Sequence, residues 1–428
     1  MFYILYGEIN MNNTFMDVLS GSICYFKHFS IFDITSTNTR IKQTTLDTID
    51  TALKRHFQKL YFEGNTQNCS TLQDIAIAQQ FLHPDGLPFL PKRAVIEDFC
   101  LTHETLPVQG GTVMMTLFPE IGTASIGINL HFEGATTDQV VFLRQCIGNG
   151  HAFHATLANG TCALKSIKDI FQDIISVIPI AFESVHEACV LEINQFGESS
   201  TELRTLVEEE AVRVYGLLTG DEGWRFAPKS LALSRIQHNW GSRNFVEFIT
   251  FGTTFLLFNL YASFSGTSYE IGQRAFSEKY YGSMNPYFLL KSKFAGINHG
   301  ILFSVETVLA IKTLTKYILD RQTFFNANQV ENFSKAIKRT KEYRKDLMLT
   351  LNKLEHIGIS ELGELENLVL QSQNIDPVIE KIKYLLELLD ADLNLMYSQQ
   401  TNCMVNLLTI LGLIFAGVSM ALDIFGAF

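Results

Sequence analysis

Apolar and polar residues alternate strictly in two neighbouring stretches, Val113, Met115 and Leu117, then Ile126, Ile128, Leu130 and Phe132, with Pro119 to Gly122 between them. A period of two puts the apolar set on one face of each strand, so the pattern predicts a β-hairpin with one buried face. Thr136-Thr137-Asp138 then caps a helix running through Val140, Val141 and Leu143 to a stop at Gly148, which makes a β-β-α unit. Similar patterning predicts helices at Thr45 to Leu60, at Ser166 to Val177, where Pro179 ends it, and at Glu202 to Leu218, with a strand around Ala188 to Ile193. Met1 to Glu8 reads as a first strand, and Pro84, Pro88 and Pro91 mark a loop.

From Asn298 onward the period becomes helical. Residues 287 to 319 are apolar, yet Lys291, Lys293, Glu306 and Lys312 recur within them, which is the pattern of a helix inside a soluble domain. Phe333 to Leu354 carries Lys335, Lys338, Arg339, Lys341, Arg344 and Lys345, either a solvated helix face or a basic collar beside anionic lipid headgroups. Asp376-Pro377 is an N-cap and first-turn pair, after which Val378, Ile382, Leu385, Leu389 and Met396 continue without a breaker. Unbroken to Phe428, that helix reaches roughly 75 Å at about 1.5 Å per residue.

Its last part departs from every other segment. Leu393 to Leu422 holds no Asp, Glu, Lys, Arg or His, and an apolar run longer than ~18 residues predicts a membrane-spanning helix. Within it Asn402, Val405, Thr409, Gly412, Ala416, Ser419 and Asp423 recur at alternating steps of three and four, hence on one stripe. Leu407, Leu408, Ile410, Leu411, Ile414, Phe415 and Val418 make a face suited to lipid. Small and hydrogen-bonding residues drive helix association in bilayers, so the stripe predicts contact with copies of itself or with another helix. Asp423 either forms an acidic ring attractive to cations in a symmetric assembly or marks the end of the span. Phe248 to Tyr269 is a second uncharged stretch, but Gly252, Thr253, Thr254, Asn259, Ser263 and Ser265 dilute it, and it reads as a buried helix or strand pair.

The stretch Asn402-Cys403-Met404-Val405-Asn406-Leu407-Leu408-Thr409-Ile410-Leu411, through Ile414-Phe415 to Ile424-Phe425-Gly426, resembles the pore-lining first transmembrane helix of CorA-type divalent-cation channels. In that family an Asn precedes a Leu-Thr-Ile-like segment, and an aromatic residue leads into a Gly-Met-Asn signature, so Gly426 falls on the signature glycine. Ala427 and Phe428 stand where Met and Asn belong, and the family's second transmembrane helix is not in this sequence. Without that Asn, selectivity for hydrated magnesium does not carry over. The resemblance implies a homo-oligomer, pentameric in the family, with a stalk helix feeding the pore and a divalent cation as permeant. A subgroup without the signature accompanies type III CRISPR systems as antiviral membrane effectors activated by a nucleotide messenger, and this chain is similar in layout.

Composition narrows the classes. Across 428 residues, 47% hydrophobic and 18% charged, there is chain enough for two soluble domains and one span. A net charge of −11 argues against binding a nucleic acid polymer. The seven cysteines, odd in number and without a CxxC pair, read as reduced thiols of a reducing compartment. The N-terminus lacks a basic n-region, so no signal peptide is expected, and the bulk of the chain is placed on the cytoplasmic side of a cell inner membrane. No P-loop, GxSxG, HExxH or calcium-loop motif occurs, and His151 with His154 lack further ligands nearby, so neither an enzyme nor a metal centre or resident cofactor is expected.

The residues best suited to a soluble ligand lie between Trp224 and Arg243. Trp224, Arg225, Lys229, Arg235, His238, Trp240 and Arg243 occur there with no acid between Glu222 and Glu247. Stacking rings interleaved with guanidinium groups suit a small nucleotide, and a core-packing tryptophan pair gives the same pattern. The expected fold class is α+β. Residues 1–240 form an α/β cytosolic sensor domain, 241–376 a helical domain, 377–401 a stalk and 402–428 the transmembrane helix. Two functions fit: a CorA-like homo-oligomeric cation channel or transporter gated by its cytosolic domain, or a tail-anchored binding or scaffold protein that conducts nothing.

Overall fold

The computed structural model describes residues 17–31, 43–63, 92–119, 121–195, 203–236, 239–240, 246–259, 299–327, 333–356 and 363–426. The N-terminal strand expected at Met1 to Glu8 and the loop of Pro84, Pro88 and Pro91 lie outside them. The fold is mixed α and β and divides into two units, Met1–Lys316 with Glu355–Ile375, and Tyr317–Leu354 with Asp376–Phe428.

The described strands are β1 (Leu19–Ser30), β2 (Leu60–Glu63), β3 (Lys92–Ile96), β4 (Phe99–Thr102), β5 (Val108–Phe118), β6 (Thr123–Ala135), β7 (Ala152–Leu157), β8 (Cys162–Ser166), β9 (Glu183–Gln195), β10 (Asn239–Trp240), β11 (Val246–Phe251) and β12 (Thr254–Asn259). They make one twelve-stranded sheet in the order β10-β11-β12-β9-β1-β6-β5-β4-β7-β8, with β3 also pairing β5 and β2 pairing β3. The pairings are antiparallel except that of β12 with β9. The helices of this unit are α1 (Gln43–His56), α2 (Thr137–Asn149), α3 (Ile167–Val177), α4 (Leu203–Glu209), α5 (Ala211–Thr219) and α6 (Lys229–Arg235), then the first part of α7 (His299–Ala327) and, after α8 (Phe333–His356) of the second unit, α9 (Gly363–Ser372).

The β5-β6 hairpin forms as the alternation predicts, with Val113 opposite Ile128 and Met115 opposite Ile126. Thr136 caps α2 in a reciprocal capping box with Gln139. The helix passes the stop expected at Gly148 and ends where Gly150 takes a left-handed φ of 73° and donates to the carbonyls of Cys146 and Ile147. The helix expected over Glu202 to Leu218 is divided at Glu210 into α4 and α5.

Each strand sends alternate residues to opposite faces, and both faces are covered. On one, Ile23, Tyr25 and Phe29 of β1 and Ile126, Ile128, Leu130 and Phe132 of β6 join Leu46, Ile49 and Leu53 of α1, Val140 and Leu143 of α2, Ile170 and Phe171 of α3, and Val214 and Leu217 of α5 in one apolar core. On the other, Cys24, Phe26, Met114, Val190, Phe248, Phe255 and Leu257 meet Leu302, Val305, Val308 and Leu309 of α7 and Leu365 and Val369 of α9. The hairpin therefore has two buried faces where the alternation predicts one. Apolar residues on all sides of α7 are what allow it to lie inside, and all of Val305 to Leu309 is buried.

The domain division also differs from the expected one. Among the described residues of 241–376, β11 and β12 are strands of the same sheet, and the parallel pairing of β12 with β9 builds them into it. The described part of Phe248 to Tyr269 is accordingly a strand pair, one of the two forms expected.

The second unit holds the end of α7, α8 as far as Leu354, and α10 (Asp376–Gly426), a continuous helix of 51 residues. Buried Tyr343 of α8 donates its hydroxyl to the Ile318 carbonyl at 3.0 Å. Arg344 of α8 pairs with Asp390 of α10, which holds the guanidinium above its usual range.

Candidate functional site

The membrane-spanning pattern lies on the outer part of α10. Among the described residues this helix, over Asp376–Met420, is the one long and apolar enough to cross a bilayer, and its most apolar stretch has no burial within this chain. Leu408 is 66% and Phe415 70% exposed, an apolar surface suited to lipid. The stripe is exposed with them: Asn402, Val405, Thr409, Gly412, Ala416 and Ser419 all face away from the rest of the chain. Thr409 donates its hydroxyl to the Val405 carbonyl at 2.8 Å, so its O–H is satisfied within the helix. A methyl group built on Gly412 meets nothing within 4 Å beyond the backbone of its own helix and its chain neighbours. Asp423 and the signature-position Gly426 lie within the helical span, and nothing is described of the Asp423 side chain. Ala427 and Phe428 fall outside the described residues.

Of the basic aromatic segment, the side chains of Trp224, Arg225, Lys229 and Arg235 are described. The Trp224 ring is only 6% exposed. It packs on Gly216 of α5, where an added Cβ would stand 2.6 Å from the indole Cγ. Its Nε1–H donates to Asp138 of α2 at 3.2 Å, and the Arg225 guanidinium, itself paired with Asp138, lies 5.2 Å from the ring centre. Trp224 is thus a core residue of the α2-α5 packing, and its stacking face is occupied from within. Lys229 and Arg235 are exposed on α6, the latter 5.1 Å from the Phe251 ring. Trp240 lies in β10, with nothing described of its side chain, and His238 and Arg243 lie outside the described residues.

Sequence patterning gives one sign of the polar layer beneath α7, the carboxylate of Glu306 within an apolar stretch. The sheet face turned to this helix carries Arg93 of β3, Thr116 of β5, Ser125 of β6 and His28 of β1, each buried. Glu306 of α7, 1% exposed, accepts from Thr116 Oγ1 and Ser125 Oγ at 2.9 Å each and forms an ion pair with Arg93, whose Nε–H donates to Thr116 Oγ1 at 3.0 Å. A buried ion pair is tolerated when its remaining donors and acceptors are satisfied, and the two hydroxyls do this.

Farther along, His28 and His186 stack across β1 and β9 with ring centres 4.8 Å apart. Burial, then His186 and Lys312, holds His28 well below the usual histidine range, and burial with Lys312 and Lys316 lowers His186 to about 3. Both rings are therefore neutral at physiological pH. Lys312 of α7, its own pKa lowered by burial, donates to Gln373 at 2.7 Å, and Gln373 donates to the Gly252 carbonyl. No group of three or more His, Cys, Asp or Glu side chains able to hold a metal ion occurs among the described residues.

Comparison with models of known protein families, with characterised proteins and with solved structures returns no match.

Proposed function

We propose that this chain is a homo-oligomeric membrane channel or transporter for cations, in which several copies of α10 line a pathway and the sheet-bearing unit, on the cytoplasmic side, gates it. The observation that carries the proposal is the fully exposed 402–419 stripe, in which a side-chain amide, hydroxyls and a glycine share one face of an otherwise lipid-suited helix. In a bilayer such a face is stable against another helix or against water, and its small residues let backbones approach closely. One span per chain lines a pathway only in an assembly, which makes copies of the same helix the simplest partner, and in such an assembly the Asp423 residues that end the stripe in the sequence would form an acidic ring attractive to cations. The resemblance to CorA-type channels points to a pentamer and to divalent cations.

The test is the mass of the protein in detergent by light scattering, followed by cation uptake into liposomes. An assembly of about five copies is expected to conduct, with uptake reduced by Asp423→Ala and by Asn402→Ala. A monomer, or a conducting assembly in which neither substitution alters uptake, would overturn the proposal and leave a tail-anchored binding protein.

A further inference from the structure

We infer that the groove between α8 and α10 is a binding site for an anionic phospholipid, its phosphate held by Lys341 and Lys345 beside the ring of Tyr397. The inference rests on the reading of α10 as a membrane span and adds a specific lipid contact to it.

The groove, ≈ 580 Å³ in volume, is walled on one side by Lys341, Arg344, Lys345 and Met348 of α8 and on the other by Asp390, Leu393 and Tyr397 of α10. That volume is in the range of clefts that hold small molecules, about 300–1,000 Å³. Its charges are unequal in sign, since three cations face one carboxylate. Asp390 is already engaged by Arg344 through two nitrogens. Lys341 and Lys345 are exposed and have no ion-pair partner among the described residues. The Lys341 ammonium lies 5.1 Å from the centre of the Tyr397 ring, which fixes its direction without neutralising it. The apolar parts of the groove are also exposed, with Met348 at 40% and Leu349 at 46%. Cations along an apolar wall suit an amphiphile with a phosphate head better than a fully hydrated anion.

The position of the groove decides the source of that phosphate. Tyr397 precedes Asn402, where the stripe begins, by five residues, or about 7.5 Å at 1.5 Å per residue. The headgroup layer on each side of a bilayer is about 5–8 Å deep, so Tyr397 lies at headgroup level, where tyrosine rings are enriched. Because Lys341 meets Tyr397 while Arg344 meets Asp390, α8 runs antiparallel to α10. Lys335, Lys338 and Arg339, which precede Lys341 and are exposed, therefore lie toward the membrane end of the groove. The cations thus continue from the groove into the headgroup layer.

The full-length protein in a nonionic detergent is titrated with phosphatidylglycerol or with phosphatidylcholine of the same acyl chains, and bound lipid is counted by native mass spectrometry. Phosphatidylglycerol is expected to be preferred. A Lys341→Gln/Lys345→Gln variant is expected to lower that preference about thirty-fold, following the electrostatic attraction of two basic residues. A Lys381→Gln/Lys383→Gln variant, altered on α10 away from the groove, retains it. Inorganic phosphate at millimolar concentration is expected not to displace the lipid. An unchanged preference in the Lys341/Lys345 variant overturns the proposal, and so does displacement by phosphate, which would make the site one for a soluble anion. Extraction of membranes with alkaline carbonate separates the two readings: release of the chain refutes the membrane span, while retention alongside an unchanged lipid preference refutes only the groove.

Discussion

Replacing Glu306 by leucine probes the polar layer beneath α7 directly. The carboxylate is 1% exposed and serves three partners, Arg93, Thr116 and Ser125. Leucine takes the Glu306 carboxylate from the buried Arg93 guanidinium, a broken buried ion pair that costs about 3–5 kcal/mol, and strips an acceptor from two buried hydroxyls at about 1–3 kcal/mol each before relaxation. Against a total stability of roughly 5–15 kcal/mol, Glu306→Leu should bring the sheet-bearing unit close to unfolding. Arg93→Met alone leaves a buried carboxylate with its two hydroxyl donors and should cost about 3 kcal/mol or more. The double variant removes both charges, so it should be at least about 2 kcal/mol more stable than the sum of the two single losses predicts. Denaturant unfolding of the full-length protein in detergent, followed by the fluorescence of buried Trp224, reads all three values. Simple additivity, or a loss below about 1 kcal/mol for Glu306→Leu, would show that the ion pair does not hold α7 to the sheet.

The histidine pair gives a pH dependence of definite sign. His186 is lowered in the folded state to about 3 from an unfolded value near 6.5, so its contribution is fully present above pH 6.5 and is lost as pH falls toward 3. By pH 5 the loss from His186 alone is about 2 kcal/mol, and a His28→Leu/His186→Leu variant should show a flatter dependence of Tm on pH over that range. Gly216→Ala would press a methyl group on the Trp224 ring and should destabilise by about 1–3 kcal/mol, with red-shifted tryptophan emission even before unfolding. Gly412→Leu on the stripe should weaken assembly in detergent without lowering helix content by circular dichroism, because nothing beyond the backbone of its own helix and its chain neighbours lies near that position. A fully assembled Gly412→Leu protein would move the contact face of α10 elsewhere.

Local patterns were legible where the physics is local. The start of α3 at Ser166, the Thr136 cap of α2 and the period-two strands of the β5-β6 hairpin all act within a few residues, and each occurs where the sequence places it. The unbroken course of α10 follows equally from the absence of any breaker after Pro377. What could not be read is the lid on the polar face. Ser125 and Thr116 look like solvent-facing strand positions until Glu306 arrives from 181 and 190 residues away. No periodicity reports such a partner. The buried glutamate within an apolar helix was the one available signal, since an unpaired carboxylate is rarely buried. For Trp224 the chain offered both a ligand-stacking and a core-packing reading, and only the approach of Gly216 of α5 to its ring, a contact no local pattern reports, favours the second.

The order in which the two sheet faces are covered bears on how the chain is made. Helices α1 to α6 are interleaved with the strands they cover, so the more apolar face is sheathed as synthesis proceeds. The other face waits for α7, which follows the last described strand by tens of residues. On β3, β5 and β6 that waiting surface displays Arg93, Thr116, Ser125 and Asn129, side chains that water solvates well. Of its apolar members, Phe248, Phe255 and Leu257 belong to β11 and β12, the last of the described strands, while Phe26 and Met114 belong to β1 and β5. A nascent chain paused before α7 therefore presents ribosome-bound chaperones with a sheet face that is wettable around Arg93, Thr116, Ser125 and Asn129 and apolar around Phe26, Phe248 and Phe255, and the aromatic pair of β11 and β12 remains uncovered for a shorter time than Phe26.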